Sequence, residues 1–458
     1  MNQPSQFAGH YGQPLGARSL VAGQGHDVAG RNESRWPNVL GVLTAVYLAA
    51  VSTMSAAGAS VAWIPQVIGI SLGVGWLVIG VLFQGRRLIW CAPVNFYILF
   101  VLWCVTGLVV TIDRNYFLTL YLTLVKVTVV TWVALQCVRS RQDLLICCLF
   151  VCIAGVVVLV AGLDKVLHAV ESTGQGIRQS DRASETLVNN ANGLGIFGVL
   201  VLVSAVAIAM GYRSAFFRML SLGFGTCGLY IVAASGSRSA MVGVGIGALA
   251  LYYYHFRKAG AGSIGKKIVV SFLGLLLLGG TAYYISSLPF FYRMKEVVSS
   301  AQGVQSEPRY IYFVRALGAT AAHPVLGLGL GGFAMHGLGR TVSGMGHYSH
   351  STVSETLSCT GVAGFAIYYG GQLLLLRLIY RVRRLPLGSR NFAIVNVVMA
   401  LFWSQLVISV VGVIYDDRLI WPLLGATCGF LRQLQHDYGH AVRDQFSEVS
   451  AMGGLMAG

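Results

Sequence analysis

Two histidines lie among hydroxyl side chains in residues 346–355, which read GHYSHSTVSE. This stretch belongs to a polar block, about residues 290–360, that holds four of the ten histidines in a chain of which only 10% is charged. An imidazole has an ordinary pKa of about 6.5, so it can accept a proton from a hydroxyl group near neutral pH. The pattern favours His350 as a general base, because it directly precedes a predicted helix that would hold it rigidly.

Other interpretations of these polar residues are possible. His347 and His350 could bind a metal ion, but the outer loops lack the HExxH and DxD motifs and an accessible set of cysteines. We therefore expect neither a metal nor a cofactor. Glu355 follows Thr352 by three residues, as in a capping box, so its predicted role is structural. The acids in the sequence DDR at 416–418 are interpreted as ion-pair partners of the neighbouring arginine.

Arg238 lies in a connection, ASGSRS at 234–239, that is too short for a solvated loop. Ser235 or Ser237 can cap the following helix, whose first N–H groups and dipole favour an anion. The guanidinium would strengthen such an anion site. The alternative is that Arg238 only extends its side chain to lipid headgroups.

A second polar cluster ends the predicted loop 164–188 and contains Arg182, followed by three asparagines that include Asn192. Asparagines are good helix caps, which explains part of the cluster without a function. The same side chains, together with an arginine, also suit contacts to sugar hydroxyls and phosphate. The sequence leaves both interpretations open.

The block 290–353 contains a predicted short helix that begins near SEPR at 306–309 and ends at His323. Helical spacing places Arg309 and Tyr312 on one face, with Arg315 close to Tyr312. The sequence GLGLGG at 327–332 then satisfies the GxGxxG pattern. No strand precedes it, so we reject a dinucleotide site and predict a tight turn near the membrane surface.

The bulk of the chain predicts an integral membrane protein. It has 458 residues, of which 55% are hydrophobic, and a mean hydropathy of +0.69. Its net charge of +16 is spread in small groups between apolar runs, which is typical of membrane topology signals and not of nucleic-acid binding. About twelve runs are long enough to span a bilayer, near 38–57, 61–83, 93–112, 116–138, 143–163, 189–210, 215–234, 239–256, 267–289, 354–376, 391–413 and 419–434.

Most short basic connections fall on one side if the N-terminus is cytoplasmic, which predicts both termini inside. The predicted organisation is a flexible cytoplasmic tail (1–36), spans 1–9 (37–289) with the periplasmic loop 164–188, a large periplasmic loop (290–353), spans 10–12 (354–434) and a cytoplasmic tail (435–458).

These motifs resemble the O-antigen ligases, within the group that includes O-antigen polymerases and O-linked oligosaccharyltransferases. The resemblance covers the span layout and is strongest in three places: Arg309 at a helix start, PVLGLG at 324–329, and His350–Ser351 followed by GVAG at 361–364. The family usually has asparagine where this chain has Ser351. Arg182 with Asn192, and Ser237 with Arg238, are similar to its two earlier outer motifs.

The resemblance implies an all-α, GT-C-like glycosyltransferase of the bacterial inner membrane with a periplasmic active site. It would be inverting and metal-independent, and would move O-antigen from undecaprenyl diphosphate to a sugar hydroxyl of lipid A-core. The implied roles are a general base for His350, a diphosphate clamp for three arginines, and secondary substrate contacts for five further residues. The clamp is Arg182, Arg238 and Arg309; the secondary contacts are Arg315, Tyr312, His323, His347 and Asn192.

Functions of other classes remain open. A lipid-linked glycan flippase would also have about twelve spans, but it should carry paired ionisable groups and broken helices near the bilayer midplane. Lys126 is the only clear charge in the middle of a predicted span. A scaffold or receptor without enzymatic activity is a further possibility. Within the family, an O-antigen polymerase is the main alternative.

Overall fold

The computed structural model describes residues 38–57, 63–171, 191–235, 237–256, 308–338 and 348–455. Within these ranges the secondary structure is helical and includes no strand. The helices are α1 (Val39–Ala57), α2 (Ile64–Gly75, continued by the π-helical Trp76–Phe83), α3 (Ala92–Cys104, continued by the 3₁₀ turn Val105–Val109), α4 (Arg114–Cys137), α5 (Arg141–Glu171), α6 (Ala191–Gly211), α7 (Ala215–Ser235), α8 (Arg238–Leu251, continued by Tyr252–Phe256), α9 (Pro308–Ala322), α10 (Gly332–Met335), α11 (Thr352–Arg383), α12 (Ser389–Val411) and α13 (Ile420–Leu455).

Eight of these described segments are long and apolar enough to cross a membrane, namely those of α2, α3, α4, α5, α6, α7, α11 and α12. The chain is therefore an all-α, multi-pass membrane protein, as the sequence predicts. The α1 helix is apolar but shorter. The predicted spans 239–256 and 419–434 coincide with α8 and the start of α13, whereas 267–289 lies outside the described residues. The total of twelve spans stays a prediction.

Small residues allow neighbouring spans to approach closely. A Cβ on Gly198 of α6 would lie only 2.8 Å from Val232 of α7, and one on Gly243 of α8 would lie 2.8 Å from Ile408 of α12. Lipid tails are as apolar as the helices, so such close backbone contact is a main source of helix association. The pairing with α8 fixes the position of α12, whose C-terminal end reaches the candidate site.

Helix α11 is interrupted at Gly361, where φ is 67° and ψ is −177°. This conformation is open almost only to glycine. The interruption frees backbone groups on both sides, and residues 324–328 bind them: the N–H of Leu328 donates to the Ser358 carbonyl at 2.9 Å, and the N–H of Val362 donates to the Pro324 carbonyl at 2.8 Å. The interruption and this segment therefore stabilise each other.

Helix α9 packs against the first half of α11. Its Tyr312 and Ala316 form a small apolar cluster with Phe333 and Cys359. Because Tyr312 also meets His350, just before α11, and Pro324 meets Val362, the two helices run side by side from the start of α11 to its break.

Candidate functional site

His350 lies immediately before α11 and has a φ of 60°, in the left-handed region that side chains other than glycine rarely adopt. Its half-buried ring is nearly parallel to that of Tyr312, with centroids 5.9 Å apart, and lies 4.7 Å from that of Tyr348. Such a backbone costs about 1–3 kcal/mol and persists only where the surroundings enforce it. The fold thus presents His350 in one orientation at the start of a rigid helix, as predicted.

The cap of α11 is Ser351, whose side chain accepts a hydrogen bond from the Ser354 N–H. The predicted capping box with Thr352 at the cap is therefore wrong by one residue. The Thr352 hydroxyl instead donates to the Gly412 carbonyl at 2.8 Å and accepts from the Ile414 N–H at 2.9 Å. Serine and asparagine are about equally good caps, so serine in place of the family's asparagine preserves this helix start.

Glu355 has a structural contact, in agreement with the sequence-based interpretation, although its geometry differs. Its buried carboxylate accepts from the Ser349 N–H at 2.7 Å, and the Cys359 thiol donates to its second oxygen at 3.4 Å. The Ser354 hydroxyl also donates to the Ser349 hydroxyl at 3.0 Å. These bonds attach Ser349, the residue before His350, to the first turn of α11.

Arg238 is the first residue of α8 and is half-buried. Ser237 caps this helix, as predicted, with its side chain accepting from the Ala240 N–H. The same hydroxyl donates to the Asn192 Oδ1 at 3.1 Å. Asn192 lies at the start of α6, 45 positions earlier, so the fold brings the two predicted outer clusters together.

The Arg238 and His350 clusters flank the same end of α12. The last turns of α12 contact α8 through Ile408 and Gly243, and the residue after α12, Gly412, accepts two hydrogen bonds from Thr352. Helix starts carry partial positive charge and free N–H groups. Three such starts, of α6, α8 and α11, therefore surround the C-terminal end of α12.

The predicted helix with Arg309 is present as α9, and Arg309 lies in its first turn. Arg315 is exposed, and its guanidinium donates to the Leu338 carbonyl at 2.7 Å. Tyr312 is buried against His350, whereas His323 is exposed directly after α9. The ring of Tyr312 contacts that of the predicted base.

Two predicted site residues, Arg182 and His347, lie outside the described residues. Their proximity to the clusters above stays a prediction.

The glycine-rich segment forms tight turns, as predicted, with left-handed φ values of 66°, 80° and 72° at Gly327, Gly329 and Gly331. The sequence did not indicate where the segment packs. A Cβ on Gly327 would lie 2.5 Å from the Cys359 backbone, and one on Gly329 would lie 2.9 Å from the Gly107 carbonyl oxygen. These glycines allow the turn to fit between α3 and the interruption of α11.

The environment of Asp416, which lies between α12 and α13, was not expected from the sequence. Burial and the neighbouring Asp417 raise its pKa to about 6, and the negative charge of Glu355 acts in the same direction. Asp417 does not simply pair with Arg418, since its Oδ1 accepts from the N–H groups of Leu419 and Ile420 at the start of α13. The acid pair next to a helix start was the available signal.

No group of three or more His, Cys, Asp or Glu side chains that could hold a metal ion occurs within the part of the chain that the structure describes. Metal independence remains a prediction about the reaction.

Residues 222–369 match the family model described as O-antigen ligase. The match covers about a third of the chain, and over this segment the chain is similar to the O-antigen ligase family. The match includes Arg238, Arg309, His350, the glycine-rich segment and the interruption at Gly361, so the family resemblance is confirmed for the region in which the motifs are densest. Arg182 and Asn192 precede the matched segment. No curated protein matches the chain.

Members of the O-antigen ligase superfamily are glycosyltransferase-like enzymes, and the superfamily implies polysaccharide and lipid-linked substrates at a membrane. The described residues include one imidazole on a left-handed backbone, a polar cluster next to a guanidinium, and three helix starts around one end of α12.

Proposed function

We propose that this chain is an inverting, metal-independent O-antigen ligase with a GT-C-like fold. It would transfer O-antigen polysaccharide from undecaprenyl diphosphate to a sugar hydroxyl of lipid A-core, at the periplasmic face of the bacterial inner membrane. Both termini would then be cytoplasmic. The observation that carries this proposal is His350, held in a left-handed conformation between Tyr312 and Tyr348 inside the matched segment.

In the proposed reaction His350 is the general base. Its imidazole accepts the proton of the acceptor hydroxyl while that oxygen forms a bond to the anomeric carbon of the donor sugar. The bond from that carbon to the diphosphate oxygen breaks, and the electron pair leaves with undecaprenyl diphosphate. A base with a pKa near the working pH contributes about 10²- to 10⁴-fold to such a step.

The leaving diphosphate gains negative charge, which the proposal assigns to Arg182, Arg238 and Arg309. Guanidinium groups are always charged and bind phosphate oxygens in pairs, so they can stabilise this charge without a metal ion. Arg238 is the best supported of the three, because it begins α8, whose N-terminal dipole also favours an anion.

The remaining predicted residues have supporting roles in the proposal. Tyr312 positions the His350 ring, and Asn192 is hydrogen-bonded to the cap of the Arg238 helix. Arg315, His323 and His347 are proposed as contacts to the sugars of the donor or acceptor.

An O-antigen polymerase or an O-linked oligosaccharyltransferase would use the same donor chemistry on another acceptor. To separate these activities, purified protein is given one lipid-diphosphate-linked glycan and, in parallel, lipid A-core, a second lipid-linked repeat or an acceptor protein. The ligase proposal expects product on lipid A-core. Product only on the lipid-linked repeat or the protein would assign the chain to one of the alternatives.

The interruption of α11 favours a second candidate, a flippase, because transporters often contain broken helices. In this chain, however, the freed backbone groups bind residues 324–328 instead of lining a cavity. A flippase would move the lipid-linked glycan across vesicles without making a new glycosidic bond. Transport without transfer would therefore support that candidate against the ligase.

A further inference from the structure

Helix α9 has an apolar face that no described part of the chain covers. Tyr310, Phe313, Val314 and Leu317 are between 41% and 48% exposed, whereas Tyr312 on the opposite face is 4% exposed. The exposed residues recur at helical spacing and form one stripe. A stripe of this kind on a water-facing loop helix would be unfavourable, so its surroundings need an explanation.

The depth of the C-terminal end of α9 can be read from two neighbouring spans. The Trp103 indole donates to the Thr360 carbonyl at 3.0 Å, and Pro324 binds Val362. Trp103 lies six residues before Val109, the outer end of its span. These six residues rise by about 10 Å. Residues 324 and 325 therefore lie about 10 Å below the end of α3, within the roughly 15 Å that one leaflet contributes to the hydrocarbon core.

The chain returns from this depth along a buried path. Leu328 binds the Ser358 carbonyl, Gly329 lies against Gly107 and Gly331 lies against Tyr116, near the start of α4. Non-helical backbone is tolerated at membrane depth only where protein satisfies or encloses it. The segment meets this requirement, because residues 327–333 are buried.

We propose that α9 and residues 323–331 form a re-entrant segment that enters the leaflet on the His350 side and returns to the same side. Its lipid-facing surface consists of Phe313, Leu317 and Val325. Val325 is 59% exposed, and Val362 beside it is 52% exposed, so this surface continues the lipid-facing surface of α11. The occupant of the surface is lipid acyl chains.

Two polar side chains of the segment are exposed beside this surface. His323 directly follows the last turn of α9. Arg315 donates to Leu338, on the side of the loop that follows the re-entrant segment. The predicted periplasmic loop 290–353 is therefore embedded in the membrane over part of its length. The inference does not depend on the proposed reaction.

Single cysteines test the lipid contact directly. All nine native cysteines are buried, so an introduced exposed cysteine is the one expected to react with a fluorescent maleimide. Phe313→Cys, Leu317→Cys and Val325→Cys are labelled separately in the full chain and reconstituted in phosphatidylcholine vesicles. Leu373→Cys, 66% exposed within the α11 span, is the lipid control; Ser389→Cys, exposed at the start of α12, is the water control.

Quenching by doxyl-labelled lipid and by aqueous iodide then separates the outcomes. The proposal expects all three labels to match Leu373→Cys, with several-fold stronger quenching by the lipid probe than by iodide. Labels quenched by iodide as strongly as the Ser389→Cys label would overturn the proposal. Protection from both quenchers would also overturn it, and a short bismaleimide crosslink between chains would then identify a second copy as the cover. More than one dye molecule per protein means that native cysteines have become accessible and that the variant has lost its fold. The test then rests on the other two positions.

Discussion

Replacing Gly361 with alanine should destabilise the protein through the interruption of α11. The added Cβ would lie 2.1 Å from the Val325 carbonyl oxygen and 2.4 Å from its carbon, and neither backbone atom can rotate away. The unfavourable backbone conformation costs about 1–3 kcal/mol and overpacking about 1–3 kcal/mol, which together give roughly 2–6 kcal/mol. Native proteins are stable by only about 5–15 kcal/mol, so this is a large fraction of the total.

Thermal stability of the purified protein, followed by the monodisperse fraction that survives heating, measures this effect. Gly318→Ala is the matched control, because it lies within α9 and its added Cβ would meet no atom within 4 Å. Alanine is the better helix former, so the control should gain about 0.5–1 kcal/mol. A Gly361→Ala protein as stable as the wild type would refute the contact between residues 324–328 and α11.

Three further predictions concern the site. Arg238→Lys keeps the charge but loses the two-pronged guanidinium contact to phosphate, so the rate of glycan transfer to lipid A-core by purified protein should fall by about tenfold or more. An unchanged rate would mean that Arg238 only contacts lipid headgroups. Ser351→Ala should cost about 1 kcal/mol and Ser351→Asn almost nothing in thermal stability, and equal losses would contradict the cap. Because the pKa of Asp416 is raised, the folded state binds this proton more tightly than the unfolded state does. The free energy of unfolding should therefore decrease as the pH rises from about 4 to about 6 and the proton leaves. Asp416→Asn should flatten this part of a melting curve measured against pH, and an unchanged slope would place the titration elsewhere.

The sequence was sufficient for the features that depend on local patterns. Apolar runs of about 20 residues predict spans, and the cap at Ser237 and the helix Pro308–Ala322 follow from residue types at helix ends. The start of α11 was misplaced by one residue because two adjacent hydroxyl residues can both cap a helix. Only the tertiary contact of Thr352 with Gly412 determines which one does.

Contacts between distant segments were not predictable from one sequence. The glycines at 327–331 indicate turns, but the same turns could lie in water, and the interruption at Gly361 leaves the helical pattern of α11 intact. Likewise, Asn192 and Ser237 meet only because α6 and α8 begin at the same side of the bundle. The half-buried state of Asp416, which raises its pKa, also arises from packing.

The central claim is that His350 removes the proton of the acceptor hydroxyl. The most direct measurement is the single-turnover transfer of glycan from undecaprenyl diphosphate to lipid A-core by purified His350→Ala, with His336→Ala as the control. His336 is exposed in the same outer block and has no assigned role. We expect His350→Ala to be slower by about 10²- to 10⁴-fold and His336→Ala to match the wild type. A His350→Ala rate within a few-fold of the wild type, at equal amounts of folded protein, would contradict the assignment.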